Sequence, residues 1–123
     1  MNKEMEFNPV IQCVPIKGDI QPDYQQRWLL VDDEGRLLAD PVKTAEIELS
    51  IRFSYLVFRA AGMLRLDIPM EVLEDDEEAF ETVYIDGKPV RAVNEGELAT
   101  AWFSNFYGKT VHLMKIHPEE QRN

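Results

Sequence analysis

The stretch EIELSIRF, residues 46–53, decides the fold class of this 123-residue chain. Ile47, Leu49, Ile51 and Phe53 alternate with polar side chains. A period of two with one apolar face is typical of a β-strand that covers a core on one side and meets water on the other. The stretch therefore predicts a half-buried strand and a mainly β protein.

Further strand-like segments surround this stretch, rich in β-branched, aromatic or alternating apolar residues and bounded by turn signals. They are residues 10–16, 27–31, 36–38, 55–60, 63–68, 80–85, 89–93 and 111–116. Gly35 and the pair Asp86-Gly87 favour the tight turns of two hairpins, because such turns need positive φ angles.

One segment has helical rather than strand periodicity. Asn94 is a predicted N-cap with Glu97 three residues later, and apolar side chains recur at helical spacing from Leu98 to Phe106. Gly108 is placed to end this helix. The chain is thus predicted to be one mainly β (α+β) domain over residues 1–123, with its core at about 8–117. The architecture expected is a small mixed β-barrel or sandwich with one helix at about 95–107.

The charge balance excludes some partners. Thirteen Lys and Arg against 23 Asp and Glu give a net charge of −10. A negative field repels phosphate backbones and anionic lipids, so we expect no nucleic acid and no membrane as partner, and we expect basic surfaces to be favoured. The first residues form no apolar leader, and no run approaches the ~20 apolar residues of a membrane span. These features predict a cytoplasmic protein.

The residue types that usually carry chemistry form no catalytic constellation. Cys13 is the only cysteine, which rules out an intrachain disulfide and predicts a small buried apolar residue. His112 and His117 lie five apart, which puts them on opposite faces of a strand and disfavours a shared metal. The five consecutive acids at 74–78 lack the glycine-centred spacing of a calcium loop and predict a solvated loop. We therefore expect no metal site, no catalytic residues and no enzyme activity.

Two basic residues are candidates for ligand binding. Lys17 follows the first predicted strand and Arg27 begins the second. If these strand ends lie close together, they offer an anion two charged donors. The alternative is that the two cations offset the neighbouring acids Asp19, Asp23 and Asp32.

Four short motifs occur in the order seen in a known family. They are VPIK at 14–17, QRWLLVDDEGR at 26–36, AAGML at 60–64 and TAWFSNFYG at 100–108. With them the chain resembles the N-terminal β-barrel domain of the molybdenum-cofactor sulfurase C-terminal (MOSC) family. The resemblance extends over residues 10–116, nearly the whole chain.

The resemblance implies a role and a partner. In two-domain members the barrel precedes the MOSC domain, which supplies the cysteine that ligates molybdenum, and Cys13 is not its counterpart. The resemblance implies that Lys17 and Arg27 bind the phosphate of the cofactor. Nothing in the sequence other than this resemblance indicates a molybdenum cofactor. Because the chain stops soon after its last predicted strand, we expect a stand-alone domain.

Three functions stay open at this point. The first is a non-catalytic binding or docking module, linked to molybdenum-cofactor proteins, that receives a protein partner or a second copy of itself. The second is a protein that binds a small anion resembling molybdopterin phosphate through Lys17 and Arg27. The third is a minimal hydrolase or transferase that uses the acids at 74–78.

Overall fold

The computed structural model describes residues 6–17, 24–70 and 80–116. The strands and helices of these residues are, in chain order, β1 (Glu6–Phe7), β2 (Ile16–Lys17), β3 (Trp28–Val31), α1 (Pro41–Thr44), β4 (Glu48–Arg52), β5 (Tyr55–Arg59), β6 (Leu66–Pro69), β7 (Phe80–Ile85), β8 (Lys88–Asn94), α2 (Glu97–Tyr107) and β9 (His112–Ile116). The predicted mainly β fold with a helix in its C-terminal half is confirmed. The predicted acidic loop at 74–78 lies outside the described residues.

The strands form three antiparallel sheets. One has two strands, β1-β2, one has four in the order β3-β9-β8-β7, and one has three in the order β4-β5-β6. Among the described residues the ladders do not close into a barrel, so the sheets enclose the core from separate sides. Side chains of β3 and β9, of β5 and β6, and of α2 meet in that core.

Helix α2 packs its inner face on both larger sheets. Its buried side chains are Ala99, Trp102, Phe103 and Phe106, and the Phe103 ring meets the edge of Phe58 on β5 at 5.1 Å between centroids. Spacings of three and four residues place these side chains on one stripe of the helix, and burial of their apolar surface holds the helix against the sheets. No helix of the described residues is long and apolar enough to span a membrane.

The four-stranded sheet is apolar on both faces. Trp28 and Leu30 face the main core, whereas Leu29 and Val31 join a second cluster with Val83, Val90, Ala92, Met114 and Ile116. All four residues of β3 are consequently buried. This two-sided burial explains why residues 28–31, in the first strand of the predicted hairpin, are all apolar.

Both predicted hairpins are present. Val31 bridges Leu37 across the turn at 32–35, and the turn between β7 and β8 consists of Asp86 and Gly87, with φ angles of 53° and 80°. Gly35 has a φ of 82°, and a Cβ there would lie 3.1 Å from the Thr82 carbonyl oxygen. A close approach of two backbones thus requires glycine at this position.

The structure differs from prediction at four local points. Residues 10–16 do not form one strand: Val10 makes an isolated bridge to Trp28, residues 11–13 form a turn, and only Ile16 belongs to a strand, β2. Strand β4 ends at Arg52, and Phe53 lies in a two-residue turn with φ 52° and 89% of its surface exposed. The alternation of apolar and polar residues continues through Phe53, so the sequence predicts that the strand includes it. The turn could not be predicted, because its residues have positive φ angles without being glycine. Helix α1 was not predicted, although Asp40 caps it by accepting from the Lys43 N–H at 3.2 Å. The N-cap of α2 is Gly96, because the Asn94 side chain instead accepts from the Gly96 N–H.

Candidate functional site

Lys17 lies in the two-stranded sheet, whereas Arg27 lies next to the four-stranded sheet. Lys17 ends β2, where it pairs with Glu6, and its side chain is exposed. Arg27 immediately precedes β3, and its carbonyl oxygen accepts a hydrogen bond from the Ile116 N–H at 2.8 Å. No hydrogen bond or ion pair among the described residues connects the two side chains to each other or to a common partner. Their joint binding of an anion stays a prediction.

Lys115 is a charged neighbour of Arg27 in the structure. Lys115 stands opposite Trp28 on the β3–β9 ladder and is 6% exposed. Its Nζ donates to the Met70 carbonyl oxygen at 2.9 Å and lies 5.2 Å from the centroid of the Trp28 ring. Burial lowers the pKa of Lys115, the carboxylate of Glu95 raises it, and the nearby Arg27 charge lowers it.

Glu95 completes this buried arrangement. It connects β8 to α2, and its Oε2 accepts a hydrogen bond from Trp28 Nε1 at 2.6 Å. Burial raises the pKa of Glu95, while the Trp28 hydrogen bond and the Lys115 charge lower it. The Trp28–Glu95–Lys115 cluster ties the four-stranded sheet to the end of β6 and to the start of α2. The hydrogen bonds to Trp28 and to the Met70 carbonyl oxygen offset part of the hydration that Glu95 and Lys115 lose in this position.

Sequence reasoning missed this cluster. The one available signal was Lys115 itself, since a lysine between Met114 and Ile116 on a predicted core strand needs a partner if it is buried. Nothing in the sequence indicates that its partners are Glu95 and the carbonyl group of Met70.

His112 contacts three elements. Its Nε2 lies 3.2 Å from Asp33 Oδ1, and its Nδ1 lies 3.1 Å from the Thr100 hydroxyl and 3.4 Å from Asn94 Nδ2. A carboxylate only accepts, so Nε2 carries a proton, and in the neutral ring Nδ1 accepts. The ring thereby connects the turn at 32–35 to α2. His117, which was predicted to lie on the opposite face of the strand, is outside the described residues.

Cys13 is buried, as predicted. It is 5% exposed, and burial raises its pKa from 9.0 to about 12. The sulfur is therefore a thiol at neutral pH and packs as an apolar group. Among the described residues no group of three or more His, Cys, Asp and Glu side chains is arranged to hold a metal ion.

An apolar concavity lies on the outer face of α2. This groove, of about 720 Å³, runs between α2 and the segment 62–67 that leads into β6. Trp102 forms its floor and donates from Nε1 to the Leu64 carbonyl oxygen. Leu64 and Leu98 stand on its two walls and are 86% and 76% exposed. We call it the α2 groove.

The rim of the α2 groove is polar. Arg65 and Asp67 form an ion pair there, with 3.0 Å between Nε and Oδ1. Apolar walls with a polar rim are the composition of many protein-binding surfaces. The groove is open, so it fits a side chain or a turn of another chain better than it fits an enclosed small molecule.

The sequence contained a signal for this groove. The sequence predicts apolar side chains at helical spacing from Leu98 to Phe106, yet Leu98 and Ala101 are exposed. Helix α2 carries one apolar stripe through Phe103 and another through Leu98, with Trp102 shared between them. An apolar arc wider than a single stripe indicates a second contact surface.

Comparison with known proteins gives two kinds of relative, whereas no family model matches the chain. Over 104 residues the chain is 24% identical to the human molybdenum cofactor sulfurase and 23% identical to the bovine one. The matched region covers 81% of this chain and 12% of each sulfurase. The chain therefore resembles a limited region of these much longer proteins.

A solved structure matches almost the whole chain. It is the solution structure of a protein from Bordetella bronchiseptica, determined as a structural genomics target. The two share 36% sequence identity and a TM-score of 0.76, over 96% of this chain and 92% of the other. With that identity over nearly the full length of both, this chain belongs to the same family as the Bordetella protein.

Proposed function

We propose that this chain is a MOSC N-terminal-like domain that serves as a non-catalytic docking module, and that its α2 groove receives a MOSC domain. The similarity to a region of the molybdenum cofactor sulfurases supports the MOSC relationship. The partner sits either in the same polypeptide or on a separate chain.

The observation that carries the proposal is the exposure of Leu64 and Leu98 on facing walls of the α2 groove. Full burial of a leucine side chain contributes roughly 1.5–3 kcal/mol relative to leaving it in water. Two such side chains beside an indole floor are a suitable centre for an interface, since apolar and aromatic anchors dominate binding energy. Exposed apolar patches rimmed by polar groups commonly mark interaction sites.

The length of the related proteins and the charge of this chain indicate the kind of partner. In the two sulfurases the matched region is 12% of the protein, so a large remainder of chain is available to cover such a surface. The net charge of −10 favours a partner that presents basic residues around its apolar contact. A MOSC domain is the partner that the family resemblance supplies.

The test is direct binding to purified MOSC domains. Each MOSC domain encoded by the host genome is titrated calorimetrically with wild type and with the double variant Leu64→Ser/Leu98→Ser. Val42→Ser is the matched control, because Val42 is also 76% exposed but lies on α1, outside the groove. We expect one domain to bind, with affinity about tenfold or more weaker for the groove variant and unchanged for the control. Equal binding by the groove variant, or no binding by any domain, contradicts the proposal.

A further inference from the structure

Strand β4 has an open edge. It is the outer strand of the three-stranded sheet, and within residues 6–17, 24–70 and 80–116 it pairs only with β5. The turn between them has two residues, so Arg52 and Tyr55 form the hydrogen-bonded pair next to it and the pairs alternate from there. Glu48, Ser50 and Arg52 consequently bond to β5, while the backbone groups of Leu49 and Ile51 point away from it. Within the described residues these outward groups have no hydrogen-bond partner.

The sequence of β4 is complementary to itself. The strand reads Glu48-Leu49-Ser50-Ile51-Arg52. If a second copy runs antiparallel beside it with Ser50 facing Ser50, Glu48 stands opposite the partner's Arg52, and Leu49 stands opposite the partner's Ile51. Opposite charges and apolar pairs across neighbouring strands are both stabilising.

The hydrogen-bonding pattern agrees with the same register. Leu49 and the partner's Ile51 both offer outward-pointing backbone groups and form one bonded pair, and the two-fold axis repeats it. Ser50 and its symmetry mate then form the non-bonded pair between them. Bonded and non-bonded pairs alternate in this way in every antiparallel ladder.

Charge selects this register from its alternatives. The nearest other registers that pair the outward backbone groups shift the second copy by two residues. Glu48 then stands opposite a serine of the partner instead of the partner's Arg52. Glu48 and Arg52 are both exposed, and among the described residues neither is in an ion pair. Both charges are therefore available for a second chain.

The apolar side chains of β4 and of its turn are also suited to pairing with a second copy. Leu49 and Ile51 pack on the edge of the main core and are only half-buried. The hairpin tip with Phe53, 89% exposed, comes beside residue 47 of the partner in this register. Pairing thus covers apolar surface at both places, which favours association.

We propose that the protein forms a two-fold symmetric dimer in which β4 pairs antiparallel with β4 of a second copy, joining the two three-stranded sheets into one of six strands. An open strand edge is a template for such pairing, and an isologous contact closes at two subunits. The α2 groove is formed by other residues, so the dimer stands or falls independently of MOSC docking.

Charge reversal tests the register. Glu48→Arg places Arg beside the partner's Arg52, and Arg52→Glu places Glu beside the partner's Glu48. Each single variant is expected to be a monomer by light scattering and native mass spectrometry at concentrations where wild type has the mass of two chains. An equimolar mixture of the two variants restores both ion pairs and is expected to regain the doubled mass. The single variants should dissociate about tenfold or more readily than wild type.

Glu81→Arg on β7 and Lys88→Glu on β8 are the controls, because they change the net charge equally at exposed positions of the other sheet. They are expected to keep the wild-type mass. The proposal is overturned if wild type stays monomeric up to about 1 mM, where even a weak self-association is detected. It is equally overturned if the single variants dimerise as wild type does, or if their mixture does not associate.

Discussion

The two larger sheets of this protein are built for different tasks. The four-stranded sheet has apolar clusters on both faces, and its outer strands are partly covered, β3 by the bridge from Val10 and β7 by the bridge from Arg36. The three-stranded sheet has one core face and an open edge at β4. Two-sided burial stabilises the first sheet, whereas the second leaves backbone and charge available to another chain. The two sheets therefore differ in burial, and the proposed dimer contact uses the sheet with the open edge.

The largest expected difference between the sheets concerns core truncation. Leu30 in β3 is fully buried, whereas Leu49 in β4 is half-buried. We expect Leu30→Ala to lower the free energy of unfolding by about 3 kcal/mol and Leu49→Ala by about 1 kcal/mol, because the cost grows with the buried apolar surface that is removed and with the cavity left behind. Urea denaturation of both variants measures this. Equal losses would show that the two sheets contribute alike.

A smaller difference is expected between the hairpin turns. Phe53 and Gly87 have φ angles of 52° and 80°, but only Gly87 suits such a conformation without strain. Phe53→Gly should raise the free energy of unfolding by about 1 kcal/mol. Gly87→Ala should lower it by about 1 kcal/mol, and only through the backbone, because a Cβ at this position has no atom within 4 Å. Thermal unfolding of dilute samples tests both, and a destabilised Phe53→Gly would refute the strain.

The smallest expected effect is the pH dependence of the Trp28–Glu95–Lys115 cluster. Burial raises the pKa of Glu95 above its usual 4.5, so the folded state holds this proton more tightly than the unfolded state does. The stabilisation from that proton is complete below pH 4.5 and is lost as the pH rises through the raised pKa.

Glu95→Gln removes this titration. The free energy of unfolding of wild type minus that of the variant is therefore expected to fall with rising pH over that window, as followed by urea denaturation at several pH values. A difference that stays flat or rises would mean that the Lys115 charge and the Trp28 hydrogen bond outweigh burial.

Local patterns in the sequence were sufficient for much of the fold. The alternation around Leu49, the Asp86-Gly87 turn and the helical spacing up to Phe106 predicted a strand, a hairpin and a helix that the structure confirms. These elements follow from periodicity and turn chemistry within a few residues, so one chain without relatives is enough to find them.

The buried cluster and the surfaces that carry the functional proposals depend on contacts between distant parts of the chain. Trp28 reaches Glu95 across 67 positions and Lys115 reaches the Met70 carbonyl group across 45. How the elements pack likewise determines which face of α2 is exposed to water and which strand of the three-stranded sheet lies at its edge. Periodicity shows which face of a helix or strand is apolar. What that face packs against depends on the whole chain, because apolar burial and hydrogen bonding must be satisfied together.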